Sequence, residues 1–137
     1  MEIRASLLEL NKVVDYLQST LPSNAIVFLR GDLAAGKTTL MQAIAKSQGI
    51  DADVTSPTFS LQHCYGKDLY HYDLYRLDYE EFMKTGLCEE FEKGGWHIVE
   101  WGSDKLKAFL EGVGYNVVIV NIELDKNGRK YSIKGEC

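Results

Sequence analysis

Eight consecutive residues hold the most specific chemistry in this chain: Gly31-Asp32-Leu33-Ala34-Ala35-Gly36-Lys37-Thr38, which reads G-x-x-x-x-G-K-T. Gly31 and Gly36 admit backbone angles that other residues resist. The loop between them, with Asp32, Ala34 and Ala35, is thereby free to turn its N–H groups toward a polyphosphate. Lys37 offers a point charge to the β- and γ-phosphates, and the Thr38 hydroxyl offers a ligand to Mg2+. The plain alternative is a Gly-rich turn in front of a helix. The flanks argue against it, because the apolar run Ala25–Arg30 has buried-strand character and Thr38–Lys46 reads as a helix with a stop at Gly49. Strand, loop and helix N-terminus together form the anion site that the motif requires.

A phosphate cradle does not say what is done with the nucleotide. Phosphoryl chemistry also needs a carboxylate to hold Mg2+, directly or through water, and a group to place the attacking oxygen. Asp73, in His71-Tyr72-Asp73-Leu74-Tyr75-Arg76, and Glu100, after Ile98-Val99, sit at or near the ends of predicted strands, where α/β sheets bind ligands. A solvated strand-end charge is the competing reading for each. Glu100 follows the core strand and is assigned to Mg2+ and the attacking water; Asp73 is assigned as an outer metal partner or a nucleophile-orienting group. Thr58, behind Pro57, either presents its hydroxyl to the metal or γ-phosphate as a switch loop does, or builds a Ser/Thr turn. Arg76 has three outcomes: Asp73, phosphate, or a surface salt bridge. His63, Cys64 and His71 lack metal-ligand spacing.

These residues need elements to hold them. Ser6-Leu7-Leu8-Glu9 has capping-box form, and Leu7, Leu10, Val14 and Leu17, with Leu8 beside them, form a helical stripe, so a helix is predicted over 7–19, ending near Pro22. Asp51-Ala52-Asp53 reads as a turn or loop. Residues 60–65 and 69–75 alternate as strands about Gly66-Lys67-Asp68, a predicted antiparallel hairpin. The tyrosines from Tyr65 to Tyr79 read mostly as core or cross-strand partners. Asp78 caps a short helix ended by Gly86, and a second helical turn covers 88–92. A strand over 96–101, a helix over 104–110 and a strand over 115–124 follow. Asp125-Lys126-Asn127-Gly128 turns the chain back into a strand over 129–134. Strand–helix alternation around the phosphate loop predicts an α/β fold, a P-loop NTPase-like layered sheet with helices on both faces. The C-terminal hairpin makes its strands mixed parallel and antiparallel.

The 137 residues suit one domain with its own core. Three widely spaced cysteines, Cys64, Cys88 and Cys137, argue against a disulfide framework and for a reducing compartment. No apolar run approaches a membrane span, and the first residues lack a signal-peptide core, so a cytoplasmic location is expected. The net charge of −5 lacks the basic footprint of a chain that grips RNA or DNA alone.

Four segments together resemble the TsaE (YjeE) family, the P-loop ATPases of bacterial tRNA threonylcarbamoyladenosine (t6A) synthesis: Gly31 to Thr39, Ser56-Pro57-Thr58-Phe59, His71-x-Asp73-Leu74-Tyr75-Arg76-Leu77 and Val99-Glu100-Trp101. Their order and spacing match over roughly residues 25 to 103. The resemblance implies that Gly36, Lys37, Thr38 and Thr39 bind phosphates, that Thr38 and Glu100 serve Mg2+, and that Asp73 and Thr58 are further active-site members. It also implies that Trp101 adjoins the site and Arg129 contacts nucleotide. Ala34 stands where the family usually has Gly, and Gly102 where it often has Pro. A family member would hydrolyse ATP and act with TsaB and TsaD, which transfer the threonylcarbamoyl group to tRNA, so that tRNA is met only through the complex. Two alternatives compete. A small-molecule kinase on this fold usually closes an Arg-bearing lid, and this chain has only Arg4, Arg30, Arg76 and Arg129. A non-catalytic nucleotide-binding adaptor is the other. A GTPase needs a guanine-reading N/T-K-x-D after the sheet core; Asn11-Lys12-Val13-Val14-Asp15 precedes the loop with the wrong spacing, and Asp125–Gly128 matches D-x-x-G but reads better as the hairpin turn.

Overall fold

A computed structural model describes residues 1–31, 36–50, 61–66, 68–126 and 128–135. The chain runs β1 (Glu2–Ala5), a 3-10 turn (Leu7–Glu9), α1 (Asn11–Thr20), β2 (Ala25–Arg30), α2 (Lys37–Ser47), β3 (Gln62–Tyr65) and β4 (Leu69–Asp73). It continues with α3 (Tyr79–Lys84), a second 3-10 stretch (Leu87–Glu92), β5 (Trp96–Glu100), α4 (Asp104–Gly112), β6 (Val117–Asp125) and β7 (Gly128–Lys134). The strands form one seven-stranded sheet in the order β1-β7-β6-β2-β5-β4-β3. The four central strands, β6, β2, β5 and β4, are parallel; β7 and β3 run antiparallel to them at the two sides, and β1 pairs antiparallel with β7 and so runs in the central direction. The mixed α/β sheet expected from the sequence is the fold.

Alternation along each strand divides the core in two. Val27, Leu29, Ile98, Val118 and Val120 pack under Val13, Val14 and Leu17 of α1 and Leu40, Met41 and Ile44 of α2. On the opposite face Ile26, Phe28, Tyr72 and Val99 pack against Phe82 of α3, Phe91, and Leu106 and Leu110 of α4. Every residue of β5 is buried, as a parallel strand covered on both faces requires. The hairpin of β3 and β4 pairs His63 with His71 and Tyr65 with Leu69. Tyr65, Tyr70 and Tyr72 are buried as core tyrosines. Asp78 caps α3 by accepting the Glu81 N–H at 2.8 Å, and Ser103 caps α4 by accepting from Leu106 N–H at 3.1 Å. No helix among the described residues is long and apolar enough to cross a membrane.

Two differences from the sequence expectation have local causes. The helix expected over 7–19 is divided. The Glu9 carboxylate accepts the Ser6 N–H at 3.1 Å and the Glu9 N–H bonds Ser6 O at 3.0 Å, which closes a tight turn before α1 begins. Three residues per turn there, against 3.6 in α1, take Leu7 and Leu8 off the stripe, and they are 53% and 96% exposed. The strand β1 was not expected at all. It pairs with β7 from Glu2↔Ser132 to Ala5↔Arg129, a partner at the other end of the chain that no local pattern announces. The expected loop at 51–53, the Thr58 segment, and Lys67 and Asn127 of the two turns lie outside the described residues.

Candidate functional site

The site gathers at the C-terminal ends of β2, β4 and β5, where α2 begins. Gly36 has φ +100, and a Cβ added there would stand 3.0 Å from Arg129 Nε and 3.4 Å from Arg129 Cδ. Only glycine fits a left-handed residue under that guanidinium. The Leu40 N–H bonds Gly36 O at 3.0 Å, which starts α2. Lys37, Thr38 and Thr39 therefore occupy the first helical turn, where the N–H groups and the positive end of the helix dipole face an anion. Lys37 is 3% exposed. Its Nζ turns back to donate to Gly31 O at 2.6 Å and lies 4.3 Å from the centroid of the Trp101 ring. A carbonyl and an aromatic face thus hold that ammonium where a phosphate would compete for it.

Asp73 and Glu100 are direct neighbours on parallel strands, paired in register between β4 and β5. The two-residue period puts them, with His71, on the face that carries α2. Glu100 is 3% exposed and His71 fully buried, and His71 Nε2 lies 2.5 Å from Glu100 Oε2. Asp73 is only half-buried. Its Oδ1 accepts the Tyr75 N–H at 3.0 Å. Burial pushes the Asp73 carboxyl above the ordinary aspartate range, and the charge of Glu100 adds to this. The Tyr75 N–H, His71 and Lys37 pull the other way. Two carboxylates so placed, one raised by burial and by the other's charge, form a hard-oxygen donor set that favours a cation such as Mg2+. No group of three or more His, Cys, Asp or Glu side chains that could hold a metal occurs among the described residues.

Trp101 follows Glu100 with φ +62, the single non-glycine residue with positive φ among those described. A bulky side chain in that region is strained. Its ring meets Lys37 on one side and packs edge-on to Tyr75 at 4.9 Å. The Leu74 N–H bonds Glu100 O at 3.1 Å, tying the chain after β4 to the end of β5.

Gly31, Gly36, Lys37, Thr38, Thr39, Asp73, Glu100, Trp101 and Arg129 thus converge on one end of the sheet. Asp32, Ala34, Ala35 and Thr58 lie outside the described residues. Arg76 is exposed and forms no ion pair with Asp73 or any other described residue. Arg30 turns to the opposite face, 2.8 Å from Asp104. From the residues alone His71 reads as a metal ligand without ligand spacing or as a packing or surface residue, and it is also the first residue of one segment that carries the family resemblance. Its position two residues before Asp73 on an alternating strand was the available signal that both share a face.

A model of the family described as "Threonylcarbamoyl adenosine biosynthesis protein TsaE" matches residues 5–131. A Haemophilus influenzae protein named tRNA threonylcarbamoyladenosine biosynthesis protein TsaE is 37% identical over 112 residues, covering 79% of this chain and 68% of the relative. A Rickettsia felis protein of the same name is 40% identical over 131 residues, covering 91% of this chain and 74% of the relative. The crystal structure of Bacillus subtilis YdiB has the same fold, with a TM-score of 0.69 over 100% of this chain and 86% of that one at 24% identity.

Proposed function

From the membership of this chain in the TsaE family, we propose that it binds ATP with Mg2+ and hydrolyses it within the machinery that makes threonylcarbamoyladenosine in tRNA, acting with TsaB and TsaD over repeated turnovers. The observation that carries the reading is the convergence of Lys37, Asp73 and Glu100 on the N-terminus of α2. The first turn of α2 binds the phosphates, and Lys37 exchanges Gly31 O for the β- and γ-phosphate oxygens. Thr38 and Glu100 are the residues that would hold Mg2+, which would supply positive charge against the charge that develops on the phosphates. Glu100 places the attacking water, and Asp73 orients it or supports the ion from one shell further out. Arg129, already against Gly36, contacts the nucleotide. Whether Thr58 completes the γ-phosphate end is part of the same proposal. ATP is preferred over GTP because the sequence has no guanine-reading motif in the required place. Among the described residues, Arg4 is engaged with Asp125 at 3.1 Å and Arg30 with Asp104. That leaves little for the arginine lid of a small-molecule kinase. With a net charge of −5, tRNA is reached through the complex rather than gripped directly.

The test is calorimetric nucleotide binding combined with steady-state hydrolysis, with and without TsaB–TsaD from the same source. Lys37→Ala should weaken ATP binding and abolish hydrolysis while leaving the unfolding midpoint within a few degrees of wild type. Equal affinities for ATP and GTP, or hydrolysis that survives Lys37→Ala, would remove the assignment.

A further inference from the structure

Among the described residues, the buried polar contact at the candidate site is the pair His71 and Glu100. Its chemistry goes one step beyond the carboxylate itself. Among the described residues, His71 Nδ1 is buried and has no hydrogen-bond partner, while Nε2 faces Glu100 Oε2 at 2.5 Å. An ionised carboxylate can only accept, so the contact is made by a proton on Nε2. Glu100 accepts no other side-chain hydrogen bond among the described residues, so one carboxylate oxygen is pinned and the other is left for what enters the site. The backbone that carries the ring is fixed from two sides. Its strand is paired on one side to His63 of β3 and on the other to Ile98 of β5, and the Tyr65 ring lies 6.5 Å away.

We propose that His71 is a positioning residue. Its Nε2–H holds the Glu100 carboxylate in a single orientation, so that the remaining oxygen meets the metal or the attacking water already aligned. The inference rests on the hydrolytic role assigned to Glu100 above. The chemistry needs such a partner, because a carboxylate free to rotate about its last bond presents its oxygens in many directions, and outer partners that fix a ligand typically change metal affinity or rate by about 10–100-fold. Two residues of separation on one strand then give β4 two tasks: Asp73 reaches the open end of the site, while His71 holds the acid on the neighbouring strand from beneath.

Three variants separate positioning from packing. His71→Gln carries an amide donor to about the place of Nε2; His71→Asn carries it only to about Nδ1; His71→Leu keeps bulk without a donor. The readouts are kcat and KM for ATP in the presence of TsaB–TsaD, and Mn2+ affinity in the complex with a non-hydrolysable ATP analogue. A third is the long-range 1H–15N spectrum of the His71 ring. The expected result is a kcat lower by about 10–100-fold in His71→Leu and His71→Asn with KM within threefold of wild type, partial recovery in His71→Gln, and Mn2+ affinity in the same order. The ring of the unmodified protein should show a proton on Nε2. If His71→Leu fails to fold, the order of Gln above Asn still decides. Wild-type kcat and Mn2+ affinity in a folded His71→Leu protein, a Gln variant no better than Asn, or an Nε2 that carries no proton would each overturn the proposal. Should the wild-type protein prove unable to hydrolyse ATP, the functional reading fails by itself, and the spectrum and Mn2+ order still decide the role of His71.

Discussion

Glu100 and Asp73 are the same functional group on adjacent strands, yet their surroundings pull them toward different work. Glu100 is enclosed and bonded to His71. Asp73 is half open, bonded to one backbone N–H and lifted by burial above the usual aspartate range. Enclosure favours the role that needs a fixed direction, so Glu100→Gln should retain most ATP affinity and lose turnover by at least about 100-fold, within the range of a removed catalytic group. Single-turnover kinetics beside calorimetry check this. A wild-type rate in Glu100→Gln with a dead Asp73→Asn would exchange the two roles. Both acids could be found in the sequence, because each ends an apolar or alternating strand. His71 could not be assigned, because its partner lies 29 residues away and one histidine in an alternating strand looks like any cross-strand filler. His97 makes a parallel case on the other face. Its Nε2 faces Lys93 O at 2.9 Å, and its Nδ1 faces the Tyr72 hydroxyl at 2.7 Å, which also accepts from Gln62 Nε2 at 3.1 Å. Burial lowers the His97 pKa below its ordinary value of 6.5. The unfolded chain therefore takes up this proton first as pH falls, so stability from His97 is complete above about pH 6.5 and drains away below it, until the folded form also protonates. Urea midpoints at pH 7.5 and 5.5 should differ less in His97→Gln than in wild type; an equal difference would mean that His97 does not contribute.

At the scale of elements, the turn from β5 into α4 needs a residue without a side chain. A Cβ at Gly102 would lie 2.6 Å from two carbons of the Phe28 ring. Phe28 is fully buried beside Val99 in the core under α4, so the ring has little room to yield. Gly102→Ala should cost about 1–3 kcal/mol, the usual penalty for overpacking a dense core, read as a lower urea midpoint with unchanged slope. Gly102→Ala combined with Phe28→Leu should recover part of that loss. Without recovery, the clash is not the cause. Elements with short-range signals were legible: β2 ends where expected at Arg30, and Asp78 is a helix cap visible as a residue type. The elements that escaped depend on distance or on competing turns. β1 needs β7, and the turn closed by Ser6 and Glu9 competes with an α-helix that the same leucines would also suit. Arg129 is legible only through a family resemblance, because the β6–β7 hairpin is what lays it against Gly36.

For the molecule as a whole, β1 pairs along β7 at one side of the sheet, while described residues beside the candidate phosphate site are exposed. The N-terminal ammonium donates to Ile133 O at 3.0 Å, and β1 covers β7. By contrast, Tyr75, beside Trp101, is 56% exposed, and Arg76 next to it is exposed as well. A site bordered by solvent leaves the attacking water poorly held and the phosphates partly hydrated, which slows hydrolysis. The chain alone should therefore turn over ATP slowly, and docking on TsaB–TsaD should raise the rate by covering this edge. Linkage then fixes the sign of a second measurement. If docking stabilises the ATP-bound site, ATP must tighten docking by the same coupling free energy, typically about 1–3 kcal/mol or 5–150-fold in affinity. Titrating TsaB–TsaD into the chain with no nucleotide, ADP or a non-hydrolysable ATP analogue should give the tightest association with the analogue. Tyr75→Ala, at the exposed edge, should reduce stimulation more than the basal rate. Stimulation without any nucleotide effect on association would mean that the partner acts after binding, by ordering the water alone. No stimulation and no nucleotide-dependent association would leave the open edge unexplained by a partner and return the adaptor reading to first place.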